Sequence, residues 1–302
     1  KYIEEFIRNS MNRILQNKIT IGITAYNEGK YLLDAWNSVV DQLDSRWQSI
    51  MVLDGNSDNG TEQIFDKINH KSLSKIKLDK NVGPYRSRTL AIENSTTDWY
   101  CQLDADDILD KNYVSQVLEC INNNLNADII YYDVRYLREN TISIKEYGNA
   151  NYNQLPFLLN SHCPIYKNIF FELGGYSEKL LESAADRDFL IRCAIDNKKF
   201  VYLSGCTLYT VRKRNFSVGA NRSKNINKKF MISRYFHKKY AKYFIDNNYY
   251  AQFYKDDINP ILYSIFKKHH YIKFLMILIV LCYESRCHIL NHIYSWYRND
   301  KE

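Results

Sequence analysis

The sequence predicts an α/β protein: a Rossmann-like, mainly parallel sheet flanked by helices, with an added helical region at the C-terminal end. Three observations predict it. A strand–turn–helix pattern recurs four times between residues 18 and 104, and such alternation lays parallel strands side by side with helices on their faces. The predicted strands are apolar, yet Thr24, Ala25, Asp54, Asn81 and Asp104 stand at their C-terminal ends, where ligands of parallel sheets lie. Near residue 220 the composition turns basic and aromatic. The expected organisation is an N-terminal helix over 1–17, an α/β domain over 18–220 and a basic helical region over 221–302.

The elements follow in order. Ile3, Phe6, Ile7, Ile14 and Leu15 give residues 2–16 an amphipathic helical pattern. The β-branched run Ile19–Ala25 reads as a buried strand, ending in the turn Tyr26-Asn27-Glu28-Gly29. A helix with Leu32, Leu33, Trp36, Val39 and Val40 comes next, then a strand over Ser49–Asp54. In the following turn Asp58 or Thr61 is suited to cap a helix carrying Ile64, Phe65 and Ile68. A short strand over Lys75–Leu78 leads to N-V-G-P-Y-R-S-R-T-L-A and a helix, then to the buried strand Trp99–Leu103. Beyond Asp110, Val114, Val117, Leu118 and Ile121 mark a helix, and Ala127–Val134 a strand. Residues 135–160 are less regular and read as a sheet extension and a loop. Phe189, Leu190, Cys193 and Ala194 form the inner face of a helix with Asp186 in its first turn. Strands over Lys199–Leu203 and Leu208–Val211 precede the basic stretch V-R-K-R-N-F-S, and the chain from 224 onward reads as helical.

Composition narrows the function classes. With 45% hydrophobic and 25% charged residues among 302, the chain is ordinary globular material. Its seven cysteines are scattered with no C-x-x-C pair, which fits reduced thiols in a cytosolic setting rather than a disulfide framework or zinc knuckle. The N-terminal stretch carries Glu4 and Glu5 and lacks a signal-peptide apolar core. The longest apolar run, Phe274–Tyr283, is too short to span a bilayer. No G-x-G-x-x-G follows the first strand and no G-x-x-x-x-G-K-[ST] is present, which argues against dinucleotide and P-loop folds. Net charge is +7, but residues 224–302 hold 14 Lys+Arg against 6 Asp+Glu, so the rest is close to neutral.

The stretch W-Y-C-Q-L-D-A-D-D ends a strand in three carboxylates, Asp104, Asp106 and Asp107. Asp104 and Asp106 lie two apart, so in an extended chain both side chains leave the same side. Held together they repel unless a cation sits between them. A hard divalent ion, Mn2+ or Mg2+, sharing its shell with water and a substrate diphosphate, is the natural occupant. A solvated acidic turn followed by a helix cap is the other reading of the same residues.

In sequence order these motifs resemble the family 2 glycosyltransferases of GT-A fold, over roughly residues 18–218. T-A-Y-N-E resembles the family's first-strand motif, and L-D-G-N-S-D-N-G-T its D-D-G-S-x-D-G-T, with Leu53 where the first Asp usually stands. N-V-G-P-Y-R-S-R is similar to N-x-G-x-x-x-A-R, and L-D-A-D-D to the D-x-D signature. G-G-Y followed by A-D-R-D resembles G-G-F followed by E-D-x-D. The resemblance implies transfer of a sugar from a nucleotide diphosphate, a UDP-sugar above others, to an acceptor hydroxyl with inversion. Thr24, Ala25, Tyr26, Glu28, Asp54, Asn81, Arg88, Asp104, Ala105 and Asp106 would line the nucleotide-sugar site. Asp54 would accept from a uracil or thymine N–H, or else only cap the turn at Gly55. Asp106 would hold the metal between the phosphates, with Asp104 on ribose or metal and Arg88 adding a cation; Arg86 would help or lie on the surface. Asp107 would cap the next helix or join the acid cluster. Asp186 matches the catalytic base, kept ionised by the helix dipole, or is merely an N-cap. Asp188, two residues on, points away.

Two departures alter the picture. Ala185 replaces the family's usual Glu, and Arg187 stands where an aromatic is common. In place of a late His the chain has Arg212, Lys213 and Arg214, which would contact the diphosphate or form a surface loop. His162 reads as structural before acceptor-pocket. The expected partners are a nucleotide-sugar donor and a glycan or lipid-linked acceptor in surface polysaccharide or glycoconjugate synthesis, with no nucleic acid. The basic tail, with Lys239, Lys242, Lys267, Lys268 and Lys273 among aromatics, leaves two options open. It is a peripheral foot on anionic lipid at the inner membrane face, or a helical subdomain packing on the sheet or on another copy of the chain. A silent nucleotide-sugar-binding scaffold and a nucleotidyltransferase remain the alternative functions.

Overall fold

The computed structural model describes residues 18–57, 60–139, 141–148, 150–180, 184–214 and 226–246. The chain divides into two compact units, Lys1–Lys213 and Arg214–Glu302. The N-terminal helix expected over 2–16, and the cysteines and lysines beyond 246, lie outside the described residues.

The first unit is organised on β1 (Ile19–Ala25), which pairs in parallel with β2 (Trp47–Leu53) on one side and β4 (Trp99–Asp104) on the other. β3 (Leu73–Lys77) adds in parallel outside β2. Buried on both faces, β1 can be apolar along nearly its whole length, as I-T-I-G-I-T-A is. Gly22 is required by contact: a Cβ there would fall on the Tyr100 hydroxyl of β4.

Beyond β4 the sheet becomes mixed. The short β8 (Ile165–Tyr166) runs antiparallel to β4 and β6 (Ile129–Arg138), and β9 (Phe200–Arg212) runs parallel to β6. β5 (Ile108–Leu109) closes the path antiparallel to β9, and β7 (Thr141–Lys145) pairs with β6. Several sequence boundaries move. The strand expected over Ala127–Val134 extends to Arg138, and the irregular stretch yields β7, a 3-10 turn at Tyr152–Gln154 and a short helix at Leu155–Leu158. The two strands expected over Lys199–Leu203 and Leu208–Val211 are one strand, irregular opposite Tyr132 and Asp133, with Gly205 at a φ of 76°.

 

Helices cover the parallel half. α1 (Lys30–Val40) buries Leu32, Ala35, Trp36 and Val39, a single helical face. Trp36 meets Trp47 edge-on at 6.2 Å, and His70 stacks on Trp47 at 5.2 Å. α2 (Thr61–Lys67) does not use Thr61 as its cap: Gly60 precedes it in a left-handed conformation, and the Thr61 hydroxyl accepts the Gly29 N–H at 2.7 Å instead. Asp58, the other expected cap, lies outside the described residues. α3 (Pro84–Glu93) starts on a proline, whose fixed φ and missing N–H suit a first turn. α4 (Tyr113–Asn123) packs Val114, Val117, Leu118 and Ile121 inward as its pattern requires. The helices α5 (Leu155–Leu158), α6 (Lys167–Glu172) and α7 (Ala185–Ile195) complete the unit. Cys101, Cys120, Cys163 and Cys193 are buried free thiols.

The second unit contains α8 (Ile226–Asp246). Ser233, Phe236, His237, Tyr240 and Phe244 form its buried stripe, and the Lys239 ammonium lies over the rings of Tyr235 and Tyr240 at 5.3 and 5.0 Å. Among the described residues no helix is long and apolar enough to cross a membrane.

Candidate active site

Register brings the site together. Thr24 lies opposite Val52 on one side and Asp104 on the other, so β1, β2 and β4 end nearly level. Thr24 accepts from Gln102 Nε2 at 3.1 Å, and the Asp54 N–H donates to the Ala25 carbonyl at 2.9 Å. Ala25 is buried, Glu28 is half-buried, and Tyr26 stands 41% exposed at the rim.

Asp54 is buried, and its carboxylate accepts the backbone N–H groups of Val82 (2.7 Å) and Gly83 (3.0 Å) and the Asn81 amide (3.2 Å). Gly55 makes the approach possible, because a Cβ there would collide with the Asn81 backbone. Asp54 and Asn81 therefore fix the loop that enters α3 from the end of β2. The Gly55 N–H goes to the Leu53 carbonyl, so the Asp54 carboxylate serves the 81–83 loop and not the turn at Gly55.

The acidic turn begins where β4 ends. The Asp107 N–H donates to the Asp104 carbonyl at 2.9 Å, burying Ala105 and leaving Asp104 and Asp106 half-buried. Arg88 of α3 donates to Asp104 Oδ1 at 2.6 Å. Burial opposes the Arg88 charge, but Asp104, Tyr85, Tyr176 and Asp186 around it raise its pKa well above the ordinary arginine value. Tyr209 of β9 accepts the Asp104 N–H at 3.1 Å. Asp107 does not cap α4, whose N-cap residue is Asn112. It is buried and accepts the Arg212 N–H at 2.8 Å. Burial, then the neighbouring Asp104 and Asp106, push its carboxyl well above the usual carboxylate range.

Among the described residues no group of three or more His, Cys, Asp or Glu side chains is arranged to hold a metal ion. The turn offers two half-buried carboxylates, Asp104 and Asp106, and Asp104 accepts from Arg88. That donor set suits a hard ion that takes its remaining ligands from water and diphosphate oxygens.

Asp186 sits in the first turn of α7 as the second helical residue; the N-cap position belongs to Ala184, in a left-handed conformation at φ 64°. Its Oδ1 accepts from the Tyr85 hydroxyl at 2.8 Å and from the Arg187 N–H at 2.9 Å. Tyr85 and Arg88 are one turn apart on α3, and the Arg88 guanidinium lies over the Tyr85 ring at 5.0 Å. A single helix thus reaches Asp104 with one side chain and Asp186 with another. Asp188 is fully buried and pairs with Arg192 at 3.0 Å, and Arg192 also donates to the carbonyls of Leu173 and Gly175. It is a structural clamp on the G-G-Y loop.

Other expected residues fall to the edge. Arg86 is exposed and pairs with Glu178 at 2.8 Å. Arg212 donates to Asp34 at 3.1 Å and lies over the Tyr31 ring at 4.6 Å, so its guanidinium is engaged by α1. Lys213 lies over the Tyr136 ring at 4.6 Å, and Arg214 begins the second unit. Tyr85, Tyr176, Tyr209 and Gln102 were not singled out from the sequence. For Tyr85 a signal existed: it precedes Arg88 by three residues, which puts both on one helix face. His162 is buried and stacks on Tyr209 at 4.7 Å; burial is the main cause that lowers its pKa to about 4.

Comparison with known proteins bears on the family and the fold. The model of Glycosyl transferase family 2 matches residues 20–177, more than half of the chain. An uncharacterized glycosyltransferase of Methanocaldococcus jannaschii is 27% identical over 247 residues, covering 77% of this chain and 83% of that protein. The teichoic acid poly(glycerol phosphate) polymerase of Staphylococcus epidermidis is 33% identical over 109 residues, 35% of this chain but only 15% of the polymerase. Among solved structures, S. aureus TarS 1-349 in complex with UDP-GlcNAc superposes with a TM-score of 0.62 at 18% identity, covering 73% of this chain and 67% of that one.

Proposed function

The chain belongs to glycosyl transferase family 2 and is a glycosyltransferase of GT-A-like fold, and from that premise we propose that it moves a sugar from a UDP-sugar to an acceptor hydroxyl with inversion. The observation that carries the reading is the double reach of α3, to Asp104 through Arg88 and to Asp186 through Tyr85. In this reading the diphosphate end of the donor lies by Asp104 and the proton acceptor is Asp186.

The chemistry needs two things there. The acceptor oxygen attacks the anomeric carbon while the bond to the diphosphate oxygen breaks, and that oxygen leaves with the electron pair. The acceptor proton passes to Asp186; among the described residues both hydrogen bonds it accepts end on Oδ1, and Oδ2 would receive the proton. Attack opposite the leaving group inverts the centre. Arg88, held charged, stands beside the departing diphosphate. Asp106, with Asp104 beside it, would hold Mn2+ or Mg2+, which supplies Lewis-acid neutralisation of the leaving group. Thr24, Ala25, Tyr26, Glu28 and Asp54 would surround base and ribose, and the exposed Tyr26 ring is available for stacking.

The acceptor in this reading is a glycan or lipid-linked hydroxyl in surface polysaccharide or glycoconjugate synthesis. The match to a teichoic acid polymerase supports that class. The basic charge of residues 224–302 would bring the enzyme to anionic lipid at the cytoplasmic membrane face. A panel of UDP-sugars, incubated with the enzyme and Mn2+, tests the function by release of UDP. At least one donor is hydrolysed, and Asp106→Asn abolishes the metal response. Turnover of no donor, or equal turnover with chelator present, would overturn the reading.

A further inference from the structure

We propose that Tyr85 is a two-sided positioning residue: its hydroxyl orients the Asp186 carboxylate while its ring orients the Arg88 guanidinium. The inference rests on the reading of Asp186 as the base. The Tyr85 hydroxyl donates to Asp186 Oδ1 at 2.8 Å, and with the Arg187 N–H it fixes that oxygen from two directions. A carboxylate at the start of a helix otherwise swings about two side-chain torsions. Held by Oδ1, it presents Oδ2 in one orientation to the acceptor.

The ring is held as firmly as the hydroxyl. Tyr85 is 3% exposed and meets Tyr176 edge-on at 5.1 Å. Tyr176 in turn packs against Phe170 at 5.0 Å and against Phe189 at 6.1 Å, and Phe189 lies on α7 one turn after Asp186. The helix that carries the base and the helix that carries Tyr85 are thus keyed together through Tyr176. The Tyr85 ring also supports the Arg88 guanidinium at 5.0 Å, a contact of cation and π-face. Arg88 uses that support because, among the described residues, its Nε is buried without a hydrogen-bond partner and its outer end is fixed by the Nη2 bond to Asp104.

The two faces are separable by mutation. Tyr85→Phe keeps the ring and removes only the hydroxyl, and Tyr85→Leu removes both. The readouts are kcat for hydrolysis of the fastest UDP-sugar in the panel and UDP affinity by calorimetry, with Asp186→Asn alongside. A lost hydrogen bond to a charged group corresponds to about ten- to hundredfold. Tyr85→Phe should lose about that much in kcat with UDP affinity within about twofold of the parent, as expected when an interaction made in the transition state is removed. Tyr85→Leu should lose kcat and UDP affinity together. Parental kcat in Tyr85→Phe, or a kcat loss matched by an equal loss of UDP affinity, would overturn the hydroxyl's part. Parental UDP affinity in Tyr85→Leu would overturn the ring's part. Asp186→Asn that still turns over would remove the base itself, whereas a dead Asp186→Asn beside a fully active Tyr85→Phe would refute the role of Tyr85 alone.

Discussion

His162→Phe should flatten the pH dependence of stability between pH 6.5 and 4. The imidazole is 5% exposed, stacked on Tyr209 and beside Tyr132. Burial lowers its pKa from 6.5 to about 4; Asp104 and Asp186 pull the other way, and Arg88 and Lys145 add to the lowering. The unfolded chain therefore takes up a proton between pH 6.5 and 4 that the folded chain refuses. The stabilisation is complete above 6.5 and is lost as pH falls toward 4, by about 3 kcal/mol in all. Phenylalanine keeps the stack and cannot titrate. Urea unfolding of parent and variant across this range isolates the difference, since the other titrating groups are common to both. The parent should lose about 3 kcal/mol more than the variant on going from pH 7 to 4. Parallel pH profiles would refute the account of His162 as an imidazole kept neutral by burial.

Two further outcomes concern the scaffold. Asp107 has a folded-state pKa well above its unfolded value of 3.8, so keeping this carboxyl in the fold opposes folding at pH above 3.8 and costs nothing below it. Asp107→Asn keeps an acceptor for the Arg212 N–H and should raise the melting temperature at pH 7 relative to the parent, with the gain vanishing near pH 3; a lower melting temperature at pH 7 would contradict this. Asp188→Ala leaves Arg192 without its carboxylate in a largely buried setting and should destabilise by about 3 kcal/mol or more, read as a shift of the urea midpoint, with an unshifted midpoint as the contrary result.

The parts of the molecule legible in its sequence are those fixed by local pattern. Strands β1, β2 and β4 are apolar because both faces are covered, and the burial of Ile19, Ile21 and Ile23 matches the run that predicts them. The placement of Asp186 in a first turn follows from the spacing of Phe189, Leu190 and Cys193. Long-range contacts were not legible. Tyr85 and Asp186 are 101 residues apart, and the Arg212 N–H reaches Asp107 across 105. Nothing in either neighbourhood marks Asp107 as tied to β9 rather than capping a helix. Thr61 had the composition of a cap, yet a glycine ahead of it took the position and freed its hydroxyl for Gly29. The single long β9 was hidden because Ser204, Gly205 and Cys206 break its apolar pattern where the strand bulges.

The most direct test of the central claim is turnover by Asp186→Asn, measured with UDP affinity on the same sample. Loss of a positioned base should reduce UDP-sugar turnover by about 10²- to 10⁴-fold while UDP binds as it does to the parent. Undiminished turnover with intact UDP binding would show that the proton goes elsewhere and that Asp186 is not the base.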